Sequence, residues 1–311
     1  MLGIHFLAHF IIICSQIFGT STTLLSDYSD RLVRSNFFPL ASAAYASTPL
    51  RCLKDLHPDA QLVHQYTVHC VHGKIHICSG YLAYSKSEKT IYLVFKGYES
   101  ANHADAQYKY TQVNWPNAIK IKDKTVNVNP YFYSALKRLM ETGMERDVTK
   151  VIQKYPRFAL WITGHSLGGS LASIAAGVVA HKRYAPSNNV YLVTFGEPKT
   201  GDLEFARTIE SIYSKRSWRV THRNDIVPAQ ASQVLKPSPH DPFVHHNREY
   251  WYNNTMTPRE MYIVCDRGDS INSVRSLAKH TWADHWNYFN VPHTFATKGC
   301  SNKHLREIKL I

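Results

Sequence analysis

The sequence predicts an α/β fold with a largely parallel sheet. Two continuous apolar runs of strand length, at 158–163 and 189–195, have the composition of strands buried on both faces. Segments with helical character follow them at 170–183 and 204–214. Strands and helices therefore alternate over about residues 131–225, which is the order that builds an α/β sheet.

The N-terminal half adds a helix and further strands to this pattern. Residues 26–48 predict a helix with an alanine-rich face, and 61–70 predict a strand. Residues 80–97 predict a hairpin that turns at the polar stretch 85–89. Apolar residues within 131–155 are spaced as on one face of a helix, so we predict a long amphipathic helix there.

Length and composition favour one globular domain. The chain has 311 residues, 44% hydrophobic and 19% charged, and no low-complexity run, internal repeat or Pro/Gly-rich linker divides it. Its formal net charge of +13 is spread along the chain. This charge favours anionic lipid or polyanionic surfaces, and simple solubility explains it equally well. The sequence has no nucleic-acid motif, so we expect no nucleic acid as a partner.

Residues 1–21 have the character of a secretory signal peptide. They contain no Lys, Arg, Asp or Glu, and small residues follow a short apolar centre. The usual positive start is missing. The alternative is a membrane anchor, although the stretch barely reaches the roughly 20 apolar residues that a span needs. We expect a secreted protein with one domain at 22–311, in which the NNT sequence makes Asn253 a predicted N-glycosylation site.

The six cysteines suit a secreted chain. Cys14 lies in the predicted signal peptide, which leaves an odd number, so at least one thiol is free or pairs between chains. Cys70 and Cys78 bracket a short polar loop, and we predict that they pair with each other.

The strongest chemical signal is the stretch GHSLG at 164–168. Ser166 follows a predicted buried strand and opens a predicted helix, which is the setting of a nucleophile elbow. Gly164 and Gly168 let the strand and the helix approach closely, and the helix N-terminus directs N–H groups toward a developing oxyanion. We predict that Ser166 is a nucleophile. The alternative is an ordinary strand–helix turn with a capping serine.

A serine nucleophile needs a base and an acid that orients the base, and in elbow enzymes the acid precedes the histidine in the chain. Asp225 is the best acid, because it follows a predicted strand and Pro228 ends any continuation. Asp202 and Asp241 compete with it, and we expect Asp202 to cap a helix instead. Spacing alone does not choose among the later histidines, which are His240, His245, His246, His280, His285 and His293.

Four motifs in order resemble the class 3 lipases, which are fungal-type triacylglycerol lipases and their secreted animal relatives. The motifs are ITGHSLGGSLAS at 162–173, TFGEPKTGD at 194–202, HRNDIVP at 222–228 and DHWNYF at 284–289. Their order and spacing agree with that family over about residues 26–300. The resemblance implies an α/β-hydrolase fold, with a central, mostly parallel sheet flanked by helices and a lid segment over the site.

The same resemblance assigns the site residues by position. It implies that Ser166 is the nucleophile, Asp225 the orienting acid and His285 the general base. The backbone N–H groups of Tyr98 and Leu167 form the implied oxyanion hole. The implied partner is a lipid ester substrate, with a lipid interface as a further partner. No metal, cofactor or obligatory protein partner is expected.

The sequence departs from the family pattern near the site. Tyr98 stands where the family has Ser or Thr, and Lys96 replaces an Arg, which loses a rigid bidentate fork. Residues 99–116 occupy the lid position, and they are polar where an interface-activated lid has an apolar stripe. These departures predict slow turnover or an unusual substrate, and weak dependence on an oil–water interface.

The resemblance also bears on the cysteines. Fungal members tie an early cysteine to one near the C-terminus, which suggests a disulfide between Cys52 and Cys300. Cys265 stands where the family has half of a local pair, but no second cysteine follows nearby. We therefore predict a free thiol at Cys265.

The leading hypothesis is a secreted serine hydrolase, a carboxylic ester hydrolase of the triacylglycerol lipase type that works through an acyl-enzyme. One alternative is a catalytically weakened relative that binds lipid without efficient turnover. Another is a phospholipase A1 or an esterase of soluble esters.

Overall fold

A computed structural model of the chain describes six segments of the sequence. They are residues 15–16, 28–71, 76–99, 117–229, 243–266 and 279–300. Two predicted features lie almost entirely outside them. Of the predicted lid at 99–116 the structure describes only Glu99. Of the predicted signal peptide at 1–21 it describes only Ser15–Gln16.

Strands and helices alternate over residues 145–229, whereas five strands follow one another among the described residues of 61–128. The strands are β1 Ser15–Gln16, β2 Gln61–His69, β3 Ile77–Ser85, β4 Thr90–Phe95, β5 Asn117–Ile121, β6 Lys124–Val128, β7 Ala159–His165, β8 Val190–Phe195, β9 Ser217–His222, β10 Glu249–Tyr252, β11 Ile263–Cys265, β12 Asn287–Tyr288 and β13 Val291–Pro292. The α-helices are α1 Asp30–Leu32, α2 Phe38–Ala43, α3 Leu50–Leu56, α4 Pro130–Leu139, α5 Glu145–Lys154, α6 Leu167–Lys182, α7 Leu203–Tyr213, α8 Ile226–Ala229 and α9 Trp282–Trp286.

Nine strands form one sheet in the order β1-β11-β10-β9-β8-β7-β4-β3-β2. The central strands β4, β7, β8, β9 and β10 pair in parallel, whereas the pairs at both edges are antiparallel. Every residue of β4 and β9 is buried, as expected for strands covered on both faces. The fold is therefore the α/β-hydrolase type, with a central, mostly parallel sheet flanked by helices.

Two hydrophobic cores cover the two faces of this sheet. One packs α4, α5 and α6 against side chains such as Leu93 and Phe95. The other packs the N-terminal helices and the C-terminal segment against the alternate residues Tyr92 and Val94. The alternation along β4 shows that each core uses one face of the sheet.

The helix predicted at 131–155 is wrong in one respect, because two helices occupy that region. A π-helical turn at Met140–Met144 joins α4 to α5, and Gly143 within it has a φ of 106°. That left-handed conformation suits glycine and interrupts a regular helix. The apolar face predicted for this region is nevertheless buried in the first core.

The disulfides partly follow the expectations. Cys52 is bonded to Cys300, and Cys70 to Cys78, with Cα–Cα distances of 4.5 and 4.9 Å. The predicted free thiol at Cys265 is wrong, because this residue is disulfide-bonded, and its partner lies outside the described residues. The free thiol was predicted because no second cysteine lies near Cys265 in the sequence, whereas a disulfide requires closeness in space.

Two further observations concern the chain termini and membranes. Ser15–Gln16 pair antiparallel with β11 at the edge of the sheet, and the signal peptide over 1–21 stays a prediction. Each helix in the described part of the chain is too short or too polar to cross a bilayer.

Candidate active site

Ser166 occupies the sharp turn between β7 and α6. Its backbone has φ 59° and ψ −132°, a conformation that costs energy for a residue with a side chain. Its N–H donates to the Phe195 carbonyl at 2.8 Å, and its carbonyl accepts from the Gly169 N–H at 2.8 Å. Bonds to the neighbouring strand and to the following helix therefore hold the strained turn in place.

Two glycines make this turn sterically feasible. A Cβ atom at Gly164 would overlap the backbone of Gly168, and one at Gly168 would overlap the Phe95 carbonyl. Strands β4 and β7 and helix α6 thus meet in backbone contact. This contact explains why the turn needs glycine two residues before and two residues after the serine.

His285 approaches the serine from the C-terminal part of the chain. It lies on α9, whose first turn is capped by the Thr281 side chain, which accepts from the Asp284 N–H at 3.1 Å. The His285 side chain is fully buried, and its Nε2 lies 2.9 Å from Ser166 Oγ. This distance is suitable for proton transfer from the serine hydroxyl.

Asp225 lies on the other side of the imidazole, just after β9. Its Oδ1 and Oδ2 are 2.9 and 3.0 Å from His285 Nδ1. Oδ1 also accepts from the Val227 N–H at 2.8 Å. Because an ionised carboxylate only accepts hydrogen bonds, Nδ1 carries the proton, and the Nε2 lone pair faces Ser166. The structure thus brings together the three side chains named from the sequence.

Tyr288 and Gly196 lie against the Asp225–His285 pair, and the sequence analysis identified neither residue. The Tyr288 hydroxyl donates to Asp225 Oδ2 at 2.6 Å. Gly196 has a φ of 55°, and a Cβ there would lie 2.7 Å from Asp225 Oδ2 and 3.1 Å from His285 Cε1. Both residues belong to motifs quoted from the sequence, TFGEPKTGD and DHWNYF, but the motifs alone did not show what either residue contacts.

The competing residues have other partners or lie outside the described segments. Asp202 caps α7, as expected. His246 pairs with Glu197 at 3.2 Å. His240 and Asp241 lie outside the described residues. Within the described segments, no cluster of three or more His, Cys, Asp or Glu side chains could hold a metal ion.

The two predicted oxyanion donors flank Ser166. Leu167 directly follows it as the first residue of α6. Tyr98 follows Gly97, which packs so closely on the serine that a Cβ at Gly97 would lie 2.9 Å from Ser166 Cβ. The Tyr98 side chain is buried in the core beside Tyr131, and burial, reinforced by Tyr131, raises the pKa of its hydroxyl. Any oxyanion contact from Tyr98 therefore comes from its backbone N–H.

Lys96 is held beside this loop by its own contacts. Its ammonium group pairs with Glu99, and it lies 5.9 Å from the centre of the Tyr45 ring. The charge of the replaced arginine is thus kept, whereas its bidentate geometry is lost.

Sequence comparisons relate the chain to lipases. The family model described as "Lipase (class 3)" matches residues 92–234. The lipase ZK262.3 of Caenorhabditis elegans is 27% identical over 94% of this chain and 88% of its own length. A lipase of Rhizomucor miehei is 28% identical over 68% of this chain, and the match spans 54% of that protein.

Solved structures of fungal lipases share the fold. The lipase from Rhizopus microsporus var. chinensis superposes with a TM-score of 0.72 at 22% identity, covering 87% of this chain and 91% of that one. Lipase II from Rhizopus niveus gives a TM-score of 0.69 at 23% identity, with coverages of 83% and 94%.

Proposed function

Because the chain belongs to the class 3 lipase family, we propose that it is a secreted serine hydrolase that cleaves the carboxylic esters of lipids. Lipase-type ester hydrolysis is what the family implies. The catalytic residues, secretion and lipid class are the proposal. The observation that carries it is the hydrogen-bonded path from Asp225 through His285 to Ser166.

In the proposed acylation step, Ser166 Oγ attacks the ester carbonyl carbon while His285 Nε2 takes the hydroxyl proton. Asp225 keeps the opposite nitrogen protonated and stabilises the imidazolium that forms. The tetrahedral intermediate then collapses, and His285 gives the proton to the leaving alcohol. A fatty acyl group remains bound to Ser166 as an ester.

Water completes the reaction by the same route. His285 takes a proton from the attacking water, hydroxide adds to the acyl carbonyl, and the fatty acid leaves as Ser166 regains its proton. In both steps the backbone N–H groups of Tyr98 and Leu167 stabilise the oxyanion. Each such donor is worth about 3 kcal/mol of barrier in comparable hydrolases.

We propose acylglycerols, and triacylglycerols first among them, as the substrate class, by analogy with the relatives. One solved neighbour is a triacylglyceride lipase of Rhizomucor miehei, and a Penicillium cyclopium relative is a secreted mono- and diacylglycerol lipase. The alternatives are phospholipids and soluble esters. A panel of triacylglycerol emulsions, phospholipid vesicles and dissolved esters separates them by rate.

Secretion is supported by the disulfides Cys52–Cys300 and Cys70–Cys78, since such bonds persist in oxidising compartments. Asn253 lies on an exposed position between β10 and β11, where a glycan has room. Expression of the full chain in a secreting host tests both points. We expect a mature N-terminus near residue 22, so that the mature protein lacks strand β1 and its pairing with β11. We also expect a mass loss on deglycosylation that Asn253→Gln abolishes.

The direct test of the activity is hydrolysis of a p-nitrophenyl ester by the wild type and by Ser166→Ala. We expect kcat/KM to fall by up to about 10⁶-fold in the variant. Ser173→Ala, which removes a buried hydroxyl from the following helix α6, is the matched control and should keep activity. Equal rates for wild type and Ser166→Ala would overturn the proposal.

A further inference from the structure

A buried series of hydrogen-bonded groups lies beside Ser166 and has no part in the steps described above. The Tyr45 hydroxyl lies 2.8 Å from His165 Nδ1, and His165 Nε2 lies 2.9 Å from the backbone oxygen of His285. The same Tyr45 oxygen packs against Gly97, where an added Cβ would lie only 2.3 Å from it. Since Gly97 precedes Tyr98, these contacts link the loop of the proposed oxyanion donor Tyr98 to the backbone of the proposed general base His285.

One arrangement of protons satisfies every hydrogen bond in this series. The His285 carbonyl only accepts, so His165 carries its proton on Nε2 and accepts the Tyr45 hydroxyl at Nδ1. Burial, reinforced by His285 and His293, holds the pKa of His165 well below its usual range, so this ring is neutral. Burial raises the pKa of the Tyr45 phenol, so it stays protonated and donates.

The neutral state of His165 matters because its ring stacks on the general base. The centres of the His165 and His285 rings are 4.6 Å apart, with 30° between their planes. His285 becomes positively charged when it takes the serine proton, and a second positive charge at this distance would oppose that step. A neutral His165 holds the His285 backbone without this penalty.

We infer that Tyr45 and His165 are positioning residues, which together fix the His285 backbone and the Gly97–Tyr98 loop around Ser166. This inference rests on the proposed ester hydrolysis. Both act through their neighbours, so their removal should slow the chemical step and leave substrate binding intact. A misplacement of about 1 Å in such a site can cost about 100-fold in rate.

The first test is the Tyr45→Phe variant, which removes only the hydroxyl. We expect kcat to fall about 10- to 100-fold, while KM stays within about twofold. Tyr213→Phe is the matched control, because Tyr213 is also buried and also donates one hydrogen bond, to the Ala176 carbonyl at 2.9 Å. Both variants should lower the melting temperature by a similar 2–4 °C or so. Only Tyr45→Phe should lower kcat, and equal kcat values in the two variants would overturn the inference.

The second test reads the His165 tautomer directly and needs no activity. In ¹⁵N-histidine-labelled wild type, ¹H–¹⁵N spectra should show His165 protonated at Nε2. In Tyr45→Phe the Nδ1 resonance should shift because it loses its donor, while Nε2 keeps its proton because the His285 carbonyl still accepts it. A wild-type His165 protonated at Nδ1 would overturn the inference.

The two tests separate this inference from the proposed function. If the wild type and Ser166→Ala hydrolyse esters equally, the proposed function fails, whatever the tautomer. If Ser166→Ala is inactive but Tyr45→Phe retains the wild-type kcat, the function stands and the positioning role fails.

Discussion

The described part of the chain contains two buried histidine–carboxylate pairs, and each has a serine beside it. In the first, His285 contacts Asp225 with Nδ1 and Ser166 with Nε2. In the second, His246 Nε2 lies 3.2 Å from both Glu197 Oε2 and Ser173 Oγ. The same three kinds of side chain are present in both places, and His246 Nδ1 also lies 3.3 Å from Ser217 Oγ. That nitrogen lies 3.0 Å from the Asn247 carbonyl as well, which only accepts, so Nδ1 carries a proton and cannot take one from the serine.

The direction of one hydroxyl shows the difference most clearly. The Ser173 hydroxyl donates its hydrogen bond to Glu197 Oε1 at 2.6 Å, so its proton points toward the carboxylate and not toward the imidazole. Ser173 also lies within α6, on ordinary helical backbone, whereas Ser166 stands on a strained turn with a φ of 59°. Geometry, more than composition, separates a nucleophile from a structural hydroxyl.

The second pair ties the fold together. Glu197 also accepts from the hydroxyls of Thr194 at 2.6 Å and Thr200 at 2.8 Å. These contacts connect β8, α6 and the segment that enters β10 through one buried carboxylate. We therefore expect damage to the first pair to remove activity and damage to the second to remove stability.

The largest expected effect is on activity, from Asp225→Asn. The amide no longer fixes the proton on His285 Nδ1, so we expect kcat to fall by about 10⁴-fold while the protein stays folded. Steady-state ester hydrolysis and circular dichroism measure the two quantities. A variant with near wild-type kcat would break the assignment of Asp225.

Glu197→Gln should produce the opposite pattern. Neutralising one member of a buried, hydrogen-bonded pair should lower the free energy of unfolding by about 3 kcal/mol, and kcat per folded molecule should stay close to wild type. Urea unfolding measures the loss. If Glu197→Gln instead abolished activity at full stability, the second pair would belong to the chemistry.

A smaller effect is expected from Tyr288→Phe, which removes the hydroxyl that donates to Asp225 Oδ2. The carboxylate keeps its contacts with His285 and the Val227 N–H, so we expect about a tenfold loss in kcat and little change in KM. An unchanged kcat would show that this hydrogen bond does not assist the acid.

The smallest effect concerns acid stability. Burial raises the pKa of Glu197, but His246 and the neighbouring hydroxyls more than offset this, so the pKa lies below its ordinary value of 4.5. The stability from ionised Glu197 is thus present above that pH and is lost as the pH falls through the folded-state pKa. The difference in unfolding free energy between wild type and Glu197→Gln should therefore shrink on acidification below 4.5. A constant difference would contradict the ionised state of Glu197.

The sequence predicted the parts of the site that depend on local pattern. The strand, turn and helix around Ser166 follow from apolar runs and two glycines, and Asp225 follows from its place after a strand. The general base did not follow from spacing, which does not choose among six later histidines, and only the family resemblance assigned this role to His285. The partners of His246 depend on β8 and α6 meeting in space, which spacing along the chain does not reveal.

Other misses have the same physical origin. The break at Gly143 depends on one backbone angle that the apolar pattern does not encode. The bonded state of Cys265 depends on a contact in space, which the sequence around it does not show. The roles of Tyr45 and His165 depend on hydrogen bonds between segments 120 residues apart. Sequence pattern thus predicts elements better than it predicts contacts between them.

Covalent labelling with a fluorophosphonate tests the central contrast most directly, because the probe reacts only with an activated serine. We expect fragmentation of the labelled peptide to place the probe on Ser166 and not on Ser173, with labelling unchanged in Ser173→Ala and absent in Ser166→Ala. Folded wild-type protein that takes up no probe, or takes it up at Ser173, would contradict this account.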